Sequence, residues 1–208
     1  MLKRKIKLLC ITCPRDDISY EEQVELACQG GADMIQLRDK KMSDKDMFDL
    51  SIKLQQICTK YNVYFTVNNR VDIADISNSD GVHLGQTDLP VSYARKVLGE
   101  NKIVGISASG YDKVVEANNL PVDYIGCGAI FSTATKPEAN VRGLEVLKKL
   151  KTANITKPII AIGGIDKTNV CDVIKSGASG VAVVRAVCGA DDIKQEAQEI
   201  KKIILSIK

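Results

Sequence analysis

Tryptophan is absent from this 208-residue chain, and aromatic residues make up only 4% of it. Stacking platforms for single-stranded nucleic acid need several aromatic rings, so that class of function is disfavoured. A surplus of one charge is missing too. The chain carries 29 Lys and Arg against 26 Asp and Glu, a net charge of +3, which excludes a polybasic arm or an acidic tail as the main feature. No apolar run approaches the ~18 residues of a membrane span. The basic start, Met1-Leu2-Lys3-Arg4-Lys5-Ile6, leads into no long apolar region, so no secretory signal is expected. There is one histidine. Cys10-Ile11-Thr12-Cys13 has metal-like spacing but no second pair to complete a zinc site. The seven cysteines are odd in number and scattered, which argues against a disulfide framework and for a reducing cytoplasm. Cys10 and Cys13 read either as a redox pair or, more simply, as small side chains at a strand end.

What is present is a globular composition, 45% hydrophobic, with no linker or low-complexity segment, and so one domain over 1–208. Short apolar runs lie at 6–11, 34–37, 63–67, 81–84, 103–106, 122–125, 158–162 and 180–184. They are rich in β-branched residues and do not alternate strictly, as expected of parallel strands buried on both faces. Amphipathic stretches separate them. Ser19-Tyr20-Glu21-Glu22 has the form of a capping box, and Ser43 starts the next helix by weaker chemistry of the same kind. Apolar stripes follow at Met47, Leu50, Leu54 and Ile57, at Leu144, Leu147 and Leu150, and at Ile193, Ala197, Ile200 and Ile204. Eight strand-then-helix units predict an α/β protein folded as one (β/α)8, or TIM, barrel. About 26 residues per unit is tight against the ~250 of a typical barrel. Neither a G-x-G-x-x-G fingerprint nor a Walker lysine motif occurs.

In such barrels chemistry sits where the strands end. After the second run comes Gln36-Leu37-Arg38-Asp39-Lys40, and alternation puts Gln36, Arg38 and Lys40 on one side. Two cations and an amide there suit a phosphorylated ligand; a solvated strand end with a salt bridge through Asp39 is the plain alternative. Asn68-Asn69-Arg70 follows the third run and reads equally as a turn. His83 lies within the fourth strand and points into the barrel, as hydrogen-bonded core more often than as catalyst. Asp88, just before Pro90, reads as a helix cap or a magnesium ligand. Ser107 ends the fifth run. Thr133-Ala134-Thr135-Lys136 suits an anion or an ordinary exposed loop. Gly163-Gly164, and then Val184-Arg185 after Gly177-Ala178-Ser179-Gly180, form the strongest local signal, because glycine lets backbone N–H groups approach phosphate oxygens closely.

Taken together, these segments resemble the thiamine phosphate synthase family. The resemblance runs from Ile6 to the last helix. It rests on Gln36-Leu37-Arg38-Asp39-Lys40, Asn68 with Arg70, Gly81-Val82-His83-Leu84-Gly85-Gln86 with Asp88, Gly105-Ile106-Ser107, Asp123-Tyr124-Ile125-Gly126 with Gly128, Thr133 with Thr135-Lys136, and Ala161-Ile162-Gly163-Gly164-Ile165. It implies a cytoplasmic transferase that joins hydroxymethylpyrimidine diphosphate to a thiazole phosphate, or its carboxylated form. The products would be thiamine phosphate and pyrophosphate, through a dissociative pyrimidine-carbocation step with Mg²⁺. By resemblance Gln36, Arg38, Lys40, Asn68, Ser107 and Lys136 hold the pyrimidine diphosphate, and Arg38, Lys40, Ser107 and Lys136 serve catalysis. Thr133, Thr135, Gly164, Val184 and Arg185 hold the thiazole phosphate, and Asn69 and Asp88 hold the metal. The implied partners are small phosphorylated substrates, with no nucleic acid and no membrane; a homo-oligomer is left open.

The departures from the family pattern matter. Asn69 stands where the family has an Asp that binds magnesium, so weaker metal affinity is expected. Ser132 stands where Pro is common, Arg185 where Ser is common, and Cys13 where the first strand often ends in Asp. Two alternatives follow: a thiazole tautomerase-like isomerase of the same fold, and a phosphate-ligand-binding barrel that has lost catalysis.

Overall fold

The computed structural model describes Leu2 and residues 4–207. Eight parallel strands close on themselves in chain order, each followed by a helix. The strands are β1 (Leu8–Ile11), β2 (Met34–Leu37), β3 (Tyr64–Asn68), β4 (Gly81–Leu84), β5 (Ile103–Ala108), β6 (Tyr124–Gly128), β7 (Ile159–Ile162) and β8 (Gly180–Val183). The helices are α1 (Tyr20–Gln29), α2 (Asp44–Lys60), α3 (Val71–Ile76), α4 (Val91–Leu98), α5 (Tyr111–Asn118), α6 (Gly143–Lys151), α7 (Val170–Lys175) and α8 (Ile193–Ser206). β8 pairs with β1 through Leu8↔Val181 and Cys10↔Val183, which closes the barrel. The expected (β/α)8 architecture is present.

Two apolar layers hold it together. The outer layer lies between strands and helices. Val67, Leu84, Ile125 and Val181 meet the helix stripes there, including Leu54, Leu147 and Ile200. The stripe residues Ile57 and Leu144 are half-buried and pack against the same layer. The inner layer fills the barrel with Leu9, Ile11, Met34, Ile103, Tyr124, Ile160 and Ala182. Strand alternation sends successive side chains to the two layers, so both faces of every strand are buried. That is why the runs are continuously apolar.

The first two helices begin at the expected serines, although of the capping box at Ser19 only the hydroxyl half forms: no bond from the Ser19 amide to Glu22 occurs among the described residues. The Ser19 hydroxyl accepts from the Glu22 amide, and the Ser43 hydroxyl from the Asp46 amide, each at 3.2 Å. Three strands run further than their apolar runs, β3 by one residue to Asn68. β5 continues through Ser107 to Ala108, and β6 through Gly126 and Cys127 to Gly128. Pairing with neighbours (Ser107↔Gly126, Ala108↔Cys127, Gly128↔Ile162) overrides the weak strand preference of Ser and Gly. β1 starts later than its run, at Leu8, while Ile6 is buried with the inner layer.

A repeated device at the N-terminal end of the barrel was not visible in the apolar pattern. The residue just before each even-numbered strand bonds the start of the odd-numbered strand beside it. Asp33 Oδ2 accepts from the amides of Lys7 (2.8 Å) and Leu8 (2.9 Å). Asp80 accepts from Phe65 (2.8 Å), Asp123 from Val104 (2.9 Å), and Ser179 Oγ from Ile159 (3.2 Å). Asp123 also pairs with Arg95 at 2.5 Å, with both side chains about one-tenth exposed. Each acid therefore satisfies amides that strand pairing leaves open at the barrel's base.

Candidate active site

The opposite end is open. A cavity of about 950 Å³ sits over the C-terminal ends of the strands, the place where this fold does chemistry. Its walls include Gln36, Arg38, Lys40, Asn68, Asn69, Asp88, Ser107, Thr133, Thr135, Lys136, Gly164, Val184 and Arg185. Every site residue expected from the sequence lies on this one cavity. Arg70 does not line it; it turns aside to ion-pair with Asp72 and Asp44.

The cationic side is built by β2. Gln36 is buried at the strand's end, Arg38 is half-buried, and Lys40 is exposed. The buried Thr12 hydroxyl accepts from the Arg38 amide at 3.0 Å and fixes the backbone there. The salt bridge through Asp39 does not form. Asp39 instead accepts from the Tyr20 hydroxyl at 2.6 Å and from the amides of Lys41 (2.7 Å) and Met42 (3.2 Å). Burial works against its charge, but these hydrogen bonds hold the carboxyl below its ordinary range. Asp39 thus shapes the loop and leaves the cations free. Among the described residues no ion pair or side-chain hydrogen bond engages Arg38, Lys40 or Lys136.

The loops after β7 and β8 supply backbone rather than side chains. Gly164 has φ +62°, and a Cβ there would lie 2.4 Å from the Ser132 carbonyl oxygen. Only glycine sits there without strain. Beyond β8 the chain tightens into a turn in which Val187 and Cys188 donate to the Val184 carbonyl. Among the described residues no backbone acceptor takes the amides of Gly164, Val184 or Arg185. Open amides at the head of a turn suit an anion. Arg15 donates to the carbonyls of Ala190 (2.6 Å) and Cys188 (3.4 Å) and pins the other end of that turn. The Thr133 hydroxyl accepts from the Thr135 amide at 3.3 Å, which folds the β6–α6 loop over the cavity edge.

The floor is polar and interlocked. His83 Nδ1 lies 2.9 Å from the Tyr124 hydroxyl, and Nε2 lies 2.8 Å from the Ser107 hydroxyl. The Gln36 amide meets Tyr124 from the β2 side. Burial pushes the imidazole down to about 4 and the Tyr124 phenol well above its ordinary value. Both His83 nitrogens are occupied, so the reading of His83 as hydrogen-bonded interior holds. Gly105 makes room for this arrangement: a Cβ there would lie 2.2 Å from the Tyr124 ring. Tyr124 is the floor residue that the sequence reading left without a role. Its signal was an aromatic residue opening a strand in a chain with few aromatics.

Asn69 and Asp88 face a metal question. Asn69 has φ +67°, a region that Asn and Asp tolerate better than other side chains. Asp88 does not cap α4, whose N-cap is Pro90. Its Oδ2 accepts from the Gly85 amide at 2.5 Å, and its Oδ1 is uncommitted among the described residues. No group of three or more His, Cys, Asp or Glu side chains that could hold a metal occurs among the described residues. One carboxylate and one amide oxygen do not make an all-protein cage. They do fit Mg²⁺, which commonly takes one or two carboxylates and completes its shell with water and substrate phosphates. Asp72 is no substitute ligand, being committed to Arg70 at 2.5 Å.

All seven cysteines are free thiols; Cys10 is fully buried in the outer layer and Cys13 is half-buried. Among the described residues no helix is long and apolar enough to cross a membrane.

Comparison with known proteins places this geometry. A family model described as thiamine monophosphate synthase matches residues 8–187. A thiamine-phosphate synthase from Persephonella marina is 45% identical over 181 residues, covering 87% of this chain and 86% of that one. One from Ruminiclostridium cellulolyticum is 41% identical, covering 90% and 89%. The solved structure of a thiamine phosphate pyrophosphorylase from Pyrococcus furiosus superposes with a TM-score of 0.89 at 37% identity, over 96% of each chain.

Proposed function

The chain belongs to the thiamine monophosphate synthase family, and from that premise we propose that it joins hydroxymethylpyrimidine diphosphate to a thiazole phosphate, releasing pyrophosphate and forming thiamine phosphate. The observation that carries the reading is the cavity itself. Four cations without an ion pair among the described residues (Arg38, Lys40, Lys136 and Arg185) and three open backbone amides line one space.

That inventory suits a dissociative substitution. The bond between the pyrimidine methylene carbon and the diphosphate oxygen breaks, and its electron pair leaves with the oxygen. The ring amino group feeds density into the electron-poor carbon. The thiazole nitrogen then forms the new C–N bond with its own lone pair. No strong base is required. Arg38, Lys40 and Lys136 take up the charge that builds on the leaving diphosphate, which is where preorganised cations act most strongly. Gln36 and Asn68 hold the pyrimidine diphosphate with them, and Ser107 contributes a hydroxyl from the floor. The amides of Gly164, Val184 and Arg185, with Thr133 and Thr135, anchor the thiazole phosphate and hold its nitrogen close to the carbon it attacks. Asn69 and Asp88 would hold Mg²⁺, which offsets diphosphate charge when bound. Free thiols throughout suit a reducing compartment, and we place the reaction in the cytoplasm.

An isomerase acting on a thiazole alone would leave the Arg38, Lys40 and Lys136 cluster without a ligand. Incubation with both substrates and Mg²⁺, followed by chromatography, tests the proposal. Thiamine phosphate forming only when both substrates are present supports it. Turnover of the thiazole alone would point to the isomerase, and binding of both substrates without product to a non-catalytic barrel.

A further inference from the structure

The floor of the cavity holds a chain of four polar side chains from four strands: Gln36 on β2, Tyr124 on β6, His83 on β4 and Ser107 on β5. Its two ends, Gln36 and Ser107, both line the cavity. Its middle is more covered: Tyr124 is only 1% exposed, and the half-buried His83 also reaches the cavity wall. Neither ring nitrogen of His83 is bonded to a carboxylate; each meets a hydroxyl. A neutral imidazole carries one N–H, so the chain must run with one polarity or the other. Either Ser107 gives its proton to Nε2, or Nε2–H gives its proton to Ser107 and frees the serine hydroxyl to donate into the cavity.

Two observations select the second polarity. At the buried end, Tyr124 is only 1% exposed, so its hydroxyl proton cannot be left to solvent. The Tyr124 proton then needs an acceptor of its own, and His83 Nδ1 is in reach at 2.9 Å. At the open end, Ser107 shares the cavity with Arg38, Lys40 and Lys136, so the group that occupies it is anionic and accepts hydrogen bonds. We infer that His83 is a positioning residue, held as the Nε2–H tautomer by Tyr124, and that it turns the Ser107 hydroxyl proton toward the leaving diphosphate. Recognition at Gln36 and charge stabilisation at Ser107 become two ends of one hydrogen-bond chain. The inference rests on the proposed reaction for the identity of the anion, but the tautomer does not depend on turnover.

His83 is the only histidine in the chain, so one ¹⁵N-histidine-labelled sample of the whole protein reports it alone. At pH 7 a long-range ¹H–¹⁵N spectrum is expected to show a protonated Nε2 and a bare Nδ1. A protonated Nδ1, a mixture of tautomers, or a doubly protonated ring overturns the inference. Kinetics supply the second readout. Tyr124→Phe is expected to lower kcat about fivefold, the scale of one neutral hydrogen bond, with the KM for thiazole phosphate unchanged. In a Ser107→Ala background the same change should have no further effect on kcat, because the proton it orients is gone. Independent, multiplying losses would overturn the chain. If the unaltered protein makes no thiamine phosphate, the synthase reading fails, and the spectrum still decides the tautomer.

Discussion

At the base of the barrel, Asp33, Asp80, Asp123 and Ser179 each take amides from a neighbouring strand, and Arg95 closes on Asp123. At the top, Arg38, Lys40 and Lys136, and the amides of Gly164, Val184 and Arg185, find no such partners among the described residues. The same kinds of group occur at both ends. The base spends its polar groups internally, while the top holds charge and donors in reserve on one cavity. Internal pairing favours the folded state, whereas unpaired cations crowded into a cavity repel one another and contribute only when an anion arrives. Substitutions at the two ends should therefore separate stability from activity.

The largest effect belongs to the top. Arg38→Ala should lower kcat about 10³-fold, the scale of losing one preorganised charge-stabilising group, while shifting Tm by less than about 2 °C. Steady-state kinetics and a thermal melt on the same sample check both halves, and a large loss of Tm would break the comparison. Next is the base. Asp123→Ala strips a nearly buried ion pair of its acid and leaves Arg95 with three carbonyls. A destabilisation of about 3 kcal/mol is expected, a fall in Tm of roughly 6–12 °C for a chain of this size, with kcat within about twofold of the parent below the transition. Third is the backbone cradle. Gly164→Ala forces a side chain into a left-handed conformation against the Ser132 carbonyl. It should raise the KM for thiazole phosphate about tenfold, in line with ~1–3 kcal/mol of local strain, and leave the KM for the pyrimidine diphosphate alone. The smallest effect sharpens the metal question. Asn69→Asp adds a charged ligand beside Asp88, and the Mg²⁺ concentration giving half-maximal rate should fall about fivefold; a Mg²⁺ titration reads this directly.

Much of the barrel was legible because burial on both faces writes itself as β-branched runs, as at β2 and β4, whose bounds coincide with their runs. The ends of β5 and β6 were not, because Ser107, Gly126 and Gly128 join the sheet through pairing rather than preference. The location of the site was legible for a related reason: polar residues that follow apolar runs converge where parallel strands end. The partners of those residues were not. Nothing in Gln36-Leu37-Arg38-Asp39-Lys40 shows that Asp39 turns to Tyr20 from α1, and nothing near His83 shows that residues 24 and 41 positions away occupy its two nitrogens. The acids at the base escaped for the same reason. Asp33, Asp80 and Asp123 look like turn residues until the neighbouring strand's amides are in place.

The proposed reaction unites two phosphorylated substrates at the open end of this barrel. A ³¹P spectrum of the protein with hydroxymethylpyrimidine diphosphate, thiazole phosphate and Mg²⁺ tests it most directly. Pyrophosphate and thiamine phosphate growing in together, in equal amounts, is the result this account predicts. Unchanged substrate signals at enzyme concentrations comparable to substrate would contradict it.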